Sequence, residues 1–249
     1  LHDILRRELA PPASGGLPPR ALDAGCGSGF QSQILGELGY QTTGIDLSGG
    51  LLRLAARHGR AASLVLGDLE ALPFSDGSFE ASACLGSTFS FLADPQAGMS
   101  ELARVLRPQG RLLLECEHKW SLDLAWMGVS ALGRSLGFDG LGYETSLHDL
   151  RRHLARPLTQ GFWMEYPCEL PNGESAYMRL RVFSIQEMRD LLGAAGLVVE
   201  RVWGLHGVTN VIPSTVLHQA RLRPWVAALY HRLCWIDRRL AGTPLARSM

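Results

Sequence analysis

Several large classes of function are excluded by what this sequence lacks. No apolar run approaches the ~18 residues of a membrane span, and no stretch has the charged, apolar and small-residue order of a secretory leader. Lysine is almost missing: Lys119 is its single occurrence, and Lys+Arg equals Asp+Glu at 24 each, for a formal net charge of zero. A nucleic-acid partner normally needs a basic footprint, so none is expected. The five cysteines, Cys26, Cys84, Cys116, Cys168 and Cys234, include no C-x-x-C pair and no histidine at metal spacing. They are expected to be small core residues of a reduced, cytoplasmic protein without a metal site.

What the 249 residues do contain is a glycine turn placed where a strand gives way to a helix. Ala21, Leu22 and Ala24 form a short apolar run within Arg20–Ala24, a buried strand by pattern. Gly25, Gly27 and Gly29 follow at alternate positions. Glycine tolerates positive φ and lets a ligand approach the backbone, and a helix N-terminus offers free N–H donors. The spacing differs from the G-x-G-x-x-G of a dinucleotide turn, which disfavours a nicotinamide oxidoreductase. Asp23, two residues ahead of Gly25, would repel pyrophosphate and could accept hydrogen bonds from an ammonium group.

Asp46 ends a second strand, Gln41–Asp46, about 20 residues past the first glycine, where an acid can take two vicinal ribose hydroxyls. The alternative is a plain helix cap ahead of Leu47 and Ser48. Helices are expected over Ser28–Leu38 and Ser48–Arg60, a third strand over Ala61–Leu66, and a fourth over Ala81–Leu85.

The D-x-G-x-G-x-G form at Asp23–Gly29 resembles motif I of the class I S-adenosylmethionine-dependent methyltransferases, small-molecule type. The segment from Gly67 to Glu80 is similar to the family's stretch after strand three, which implies that Asp68 reads the adenine amino group and Leu69 covers the ring. An exocyclic amine needs an acceptor and an adenine face an apolar floor. By the same resemblance Gly25, Cys26, Gly27, Gly29, Leu47 and Leu85 join Asp23, Asp46, Asp68 and Leu69 in an S-adenosyl-L-methionine site. A helix over Pro95–Leu106, the turn Pro108-Gln109-Gly110 and a fifth strand to Glu115 continue the likeness. Two family features are missing: Ser90 and Phe91 stand where a histidine pair is common. Leu85-Gly86-Ser87-Thr88 replaces the Asp/Asn-Pro-Pro-aromatic motif of enzymes that hold a planar amine.

The likeness lapses from Cys116 to Val182, an aromatic-rich segment with helical periodicity at Leu122–Leu136 and Leu147–Leu154. Phe162–Leu170 and Ser175–Phe183 flank Pro171-Asn172-Gly173-Glu174, a hairpin signal. Beyond it, Ser184 and Glu187 form a capping box, a helix runs to Ala195-Gly196, and Leu197–Trp203 alternates as a sixth strand. Gly207–Ile212 is the candidate seventh. The resulting fold class is α/β, a Rossmann-like, mostly parallel seven-stranded sheet with helices on both faces, an inserted substrate lobe and a C-terminal helical tail.

The expected domains are residues 1–116 with 183–215 for the cofactor, 117–182 for the acceptor, and 216–249 as a helical extension. The extension, helical over Val216–Leu240, is basic and bears tryptophan. Packing against the fold or a second subunit is favoured over contact with a membrane surface. The chain is read as a monomer or homodimer that transfers methyl to a small-molecule O-, N- or C-nucleophile. A cofactor-binding scaffold without catalysis is the other reading. Candidates for handling a proton are Glu117, His118, Tyr166, Tyr177 and His206, with His118 first because it follows the central strand. Trp120, Tyr166 and Tyr177 are the candidate acceptor contacts.

Overall fold

A computed structural model of the chain describes residues 1–11, 17–119, 122–137, 151, 155–157, 159–169, 175–205, 208–212 and 223–240. They form two compact units. The first comprises Leu1–Glu117, Trp163–Val182 and Met188–Val198; the second comprises His118–Phe162, Phe183–Glu187 and Val199–Met249.

The first unit begins with α1 (His2–Glu8), then β1 (Arg20–Ala24), α2 (Phe30–Glu37), β2 (Gln41–Asp46), α3 (Gly49–Arg57), β3 (Ser63–Leu66) and β4 (Phe79–Cys84). A single 3-10 turn, Thr88–Phe91, leads to α4 (Pro95–Val105) and β5 (Leu106–Leu114). The strands lie in the order β3-β2-β1-β4-β5 and every pairing is parallel. The chain winds outward from β1 to β3, then crosses to β4 on the other side of β1. Open α/β sheets bind ligands at such a switch point, outside the carboxyl ends of the strands.

Side chains alternate across each strand. Ala21, Ala81 and Ala83 face a cluster made by Leu5 and Leu9 at α1 and Ile34 and Leu35 of α2. Leu22, Ser82 and Cys84 are buried on the opposite face, to which right-handed crossover from β4 to β5 assigns α4. Met99, Leu102 and Val105 make the apolar stripe of that helix, each three residues from the next, and all three are buried. Its start is fixed by Asp94, whose carboxylate accepts from the Gln96 and Ala97 N–H groups, with Pro95 in the first turn.

The long β3 to β4 connection is held by Arg104, which donates to the Leu72 and Phe74 carbonyls and to the Asp76 and Glu101 carboxylates. Glu101 in turn accepts the Leu72 N–H. The expected Pro108-Gly110 turn lies inside β5 as an irregularity: Gln109 has φ 66°, and pairing with β4 resumes at Arg111.

Two boundaries differ from expectation for local reasons. Helix α2 starts at Phe30 rather than Ser28 because Gly29, at φ 85°, is left-handed. Helix α3 starts after Ser48, its N-cap, whose hydroxyl accepts from Leu51 N–H at 3.3 Å.

The larger correction concerns the sheet, which has five strands among the described residues rather than seven. The expected sixth strand, Leu197–Trp203, has no ladder partner, and Val198 is exposed. The expected seventh, Gly207–Ile212, contains the 3-10 turn Thr209–Val211, and Gly207 lies outside the described residues. Alternation selects a face but does not supply the hydrogen-bonding neighbour that makes a strand.

The two flanks of the expected hairpin are strands, β6 (Phe162–Glu169) and β7 (Ser175–Val182), paired in a separate two-stranded sheet. Residues 170–174 between them lie outside the described set, as do 138–150 and 152–154, which together hold all of the second expected lobe helix but Arg151. The first lobe helix is α5 (Leu122–Ser135).

Helix α6 (Ile185–Ala194) follows, with Ser184 Oγ accepting the Glu187 N–H at 3.0 Å. The other half of the capping box is diverted: the Glu187 carboxylate accepts the Gly161 N–H at 2.8 Å. The tail helix, α7, spans Pro224–Leu240, and 213–222 are outside the described residues. No helix among the described residues is long and apolar enough to cross a membrane.

Phe79, fully buried at the start of β4, packs edge-on against Phe74 with 5.1 Å between ring centroids. Phe79→Ala is expected to lower stability by about 3–5 kcal/mol. Urea denaturation measures it, and a loss under about 1 kcal/mol would show that the space collapses around the missing ring.

Candidate functional site

The loop between β1 and α2 is pinned to the neighbouring strand before any ligand is considered. The N–H groups of Gly25 and Cys26 both donate to the Ile45 carbonyl, at 2.8 and 3.0 Å, and Gly29 N–H donates to the Cys26 carbonyl at 2.8 Å. Gly25, Gly27 and Gly29 all have positive φ, but they are glycines for different reasons. A Cβ on Gly25 would fall 2.2 Å from Thr88 Cγ2, and one on Gly29 would fall 2.9 Å from Arg60 Cβ. Those two permit close packing. A Cβ on Gly27 would meet only Leu51, at 3.9 Å, so the tip of the loop borders open space that a ligand can approach.

Asp46, at the carboxyl end of β2, is oriented by the same loop. One of its oxygens accepts from Gly27 N–H at 2.8 Å and the other from Ser48 N–H at 2.7 Å. Ser48, not Asp46, is the side-chain cap of α3. The carboxylate is thus fixed beside Gly27 with unused lone pairs on both oxygens, since a carboxylate can accept about four hydrogen bonds.

Asp23 is placed differently from the sequence expectation. It sits beneath the loop rather than at its mouth, 1% exposed, and its carboxylate accepts from Ser32 Oγ at 2.5 Å. The cause is the strand itself: β1 is central, with β2 and β4 on either side and helices above. Burial pushes the Asp23 pKa up to about 6; the Ser32 hydrogen bonds oppose the rise and the Asp46 charge adds to it. Ser32 carried no signal in the sequence beyond its place one turn into α2.

Cys26 also turns inward. Its Sγ occupies the space left by Gly44, where a Cβ would lie 2.8 Å away, and burial pushes the thiol pKa up to about 12. Its side chain is a packing element, and its N–H is already given to Ile45.

Past β3, Asp68 accepts the Glu70 N–H at 2.9 Å. Leu69 and Leu85 are buried, and Leu47 is exposed beside Asp46. Glu70 then accepts from the Ala93 and Asp94 N–H groups, tying this turn to the start of α4.

The loop after β4 meets the glycine loop through Thr88, whose Oγ1 lies 3.5 Å from the Gly25 carbonyl and donates to the Leu85 carbonyl of its own loop at 2.9 Å. It is also stapled to the end of β5. Gly86 N–H donates to Glu115, Ser87 Oγ donates to Glu117 at 2.6 Å, and Glu117 N–H donates to Ser90 Oγ at 2.8 Å. Ser87 is one of two non-glycine residues with positive φ among the described residues. Ser90, one of the two positions where the family resemblance implied a histidine pair, is buried and holds the Glu117 N–H.

His118 belongs to the second unit, where it forms an isolated parallel bridge with Phe183. Tyr177, on β7, is 59% exposed. Trp120 and His206 lie outside the described residues, as does the Tyr166 side chain.

With this geometry in view, comparison with known proteins becomes informative. The model of a family described as "Methyltransferase domain" matches residues 22–114, from β1 to the end of β5. A demethylmenaquinone methyltransferase of Beutenbergia cavernae is 31% identical over 225 residues, covering 88% of this chain and 80% of that protein. The chain belongs to the class I S-adenosylmethionine-dependent methyltransferases.

A second methyltransferase relative, a malonyl-[acyl-carrier protein] O-methyltransferase of Erwinia billingiae, is 32% identical over 169 residues, covering 65% of this chain and 66% of the relative. The chain therefore spans just under two thirds of that relative's length. Among solved methyltransferase structures, an amino pentose methyltransferase from Micromonospora echinaspora with the cofactor bound superposes with a TM-score of 0.52. Identity there is 18%, and the match covers 83% of this chain and 84% of that one, which extends the likeness in fold alone.

The raised Asp23 pKa fixes the sign of a pH effect in this methyltransferase. Between 3.8 and about 6 the folded chain keeps a proton that the unfolded chain releases, so this group's contribution to stability falls as pH rises through that window. By pH 7 the loss is roughly 3 kcal/mol. Asp23→Asn removes it, so urea denaturation from pH 4 to pH 7 is expected to show the variant gaining on the parent by about that amount. A gap that does not change with pH would contradict the assignment.

Proposed function

We propose that this methyltransferase holds S-adenosyl-L-methionine at the switch point between β1 and β4 and transfers its methyl group to a small-molecule acceptor. The observation that carries the reading is the Asp46 carboxylate, oriented by Gly27 and Ser48 N–H groups beside the open tip of the loop. The residues fit the cofactor's chemistry. Asp46 has acceptor capacity for ribose hydroxyls, Asp68 for the adenine amino group, and Leu69, Leu47 and Leu85 bring apolar surface for the ring. Gly25, Cys26, Gly27 and Gly29 contribute backbone, and the Asp23 charge beneath them favours an ammonium over a phosphate.

When bound, the cofactor supplies a methyl group already activated on a sulfonium. The chain's part is then to hold an acceptor nucleophile in line and to keep water away, which can be worth several powers of ten in rate. The segment 117–182 is the proposed acceptor lobe, with Trp120, Tyr166 and Tyr177 as its contacts. Where the acceptor is a hydroxyl or ammonium, His118 is the proposed proton acceptor, with Glu117 next to it in sequence. The tail 216–249 is a separate extension in this scheme.

The related enzymes named for malonyl-[acyl-carrier protein] and demethylmenaquinone suggest the first acceptors to assay. Binding is tested first. S-adenosylhomocysteine at about 100 times its Kd should raise stability by about 2.7 kcal/mol, whereas NAD should leave it unchanged. Asp46→Ala is expected to weaken S-adenosylhomocysteine by at least about tenfold, the loss of charge-assisted hydrogen bonds to two hydroxyls. Stabilisation by NAD and not by S-adenosylhomocysteine would overturn the proposal.

The acid–base role has its own measurement. His118→Ala should lower kcat by about 10²-fold or more at saturating cofactor, with cofactor affinity retained. Unchanged turnover would remove His118 from the mechanism.

A further inference from the structure

Helix α7 presents a face that the methyl-transfer chemistry does not use. Along Pro224–Leu240 the inward stripe includes Val226, which is buried, and Asp237, whose carboxylate accepts from Val208 N–H, Thr209 N–H and Thr209 Oγ1 at 2.7, 2.9 and 2.6 Å. Asp237 is the one acidic residue of the helix, so those bonds turn its only negative charge inward. The opposite stripe runs through Trp225, Leu229, Arg232, Trp235 and Arg239, at the steps of three and four that align residues on one side of a helix. Trp225 is 63% and Trp235 56% exposed, and Leu229, Arg232 and Arg239 are exposed with them. The Arg239 guanidinium stands 4.0 Å from the Trp235 ring centroid, and Arg223 lies exposed just ahead of the first turn.

We propose that this face is a docking surface for an anionic lipid bilayer, on which α7 lies parallel to the membrane plane. The face is cationic and apolar together, with no acid on it. Indole rings favour the headgroup boundary, arginine extends its charge from an apolar stem, and a basic amphipathic helix gains from both terms at a negative surface. A second copy of the chain is a poorer occupant, since antiparallel two-fold pairing centred on the stripe would set Arg232, its middle residue, against its own equivalent with no acid on the face to neutralise either. The proposal does not depend on which acceptor the enzyme methylates.

Flotation of the intact protein with vesicles of phosphatidylcholine alone, or of phosphatidylcholine with phosphatidylglycerol, tests it. Binding is expected only to the anionic vesicles and should weaken with salt as the Debye length falls to about 3 Å near 1 M. Arg232→Gln with Arg239→Gln should lower partitioning roughly thirtyfold, about fivefold for each arginine. Trp225→Ala with Trp235→Ala should weaken it at every salt concentration, and brominated lipid should quench less of the remaining tryptophan emission. Unchanged thermal melting of both variants keeps the comparison clean.

Three results would overturn the proposal. One is vesicle binding that neither pair of substitutions alters, or none at all. Another is self-association in sedimentation velocity that the tryptophan substitutions abolish, which would make the face a subunit interface. The third is binding to soluble polyglutamate as tight as to vesicles and indifferent to the tryptophans, which would point to an acidic protein.

Discussion

The carboxyl edge of the sheet is organised by one carboxylate that answers to two loops. Asp46 accepts from Gly27 N–H on one side and Ser48 N–H on the other, so the glycine turn after β1 and the start of α3 share a single acceptor. The Ile45 carbonyl, one residue earlier, takes two more N–H groups of the same turn. A loop of three glycines would otherwise lose a large conformational entropy on ordering. Strand β2 supplies the partners that offset this, and it can do so only because β1 and β2 run parallel in register, with Ala24 opposite Ile45.

A second layer of restraint comes from acids whose oxygens are committed to backbone N–H groups. Glu101 holds Leu72, Glu70 holds Ala93 and Asp94, Glu115 holds Gly86, and Asp94 holds the first turn of α4. Each fixes a connection at the end of a strand or the start of a helix, where the backbone lacks ladder partners of its own. These connections are thereby set by charge-assisted hydrogen bonds to backbone N–H groups. Asp23 is the exception: it is enclosed by packing, and its perturbed ionisation follows from that enclosure.

The part of the fold that could be read from the residues is the part governed by local rules. Strand β1, the glycine turn, Asp46 at the end of β2, the Ser184 cap and the helix stop at Gly196 each depend on neighbours within a few positions. What could not be read depends on partners far along the chain. Leu197–Trp203 alternates as a strand should, but no strand pairs with it among the described residues. Asp23 looked like a residue at a mouth because its depth is set by the strands on both sides. Cys26 was grouped with the binding loop, and only the missing side chain of Gly44 reveals that its sulfur points into the sheet. Glu117 reads in the sequence as a proton-handling candidate and Glu115 as a strand end, and neither announces the loop about 30 residues earlier that the two staple.

Lys119 closes the list of features with consequences beyond the site. It is the sole lysine in the sequence, 2% exposed, and its ammonium donates to the Pro157 and Gln160 carbonyls at 2.8 and 2.9 Å. With that amine enclosed, the side chains of these 249 residues offer no accessible primary amine to solvent. Lysine-directed acylation and cross-linking, and any modifying enzyme that needs a lysine nucleophile, would reach Lys119 only after the second unit opens around residues 157–160.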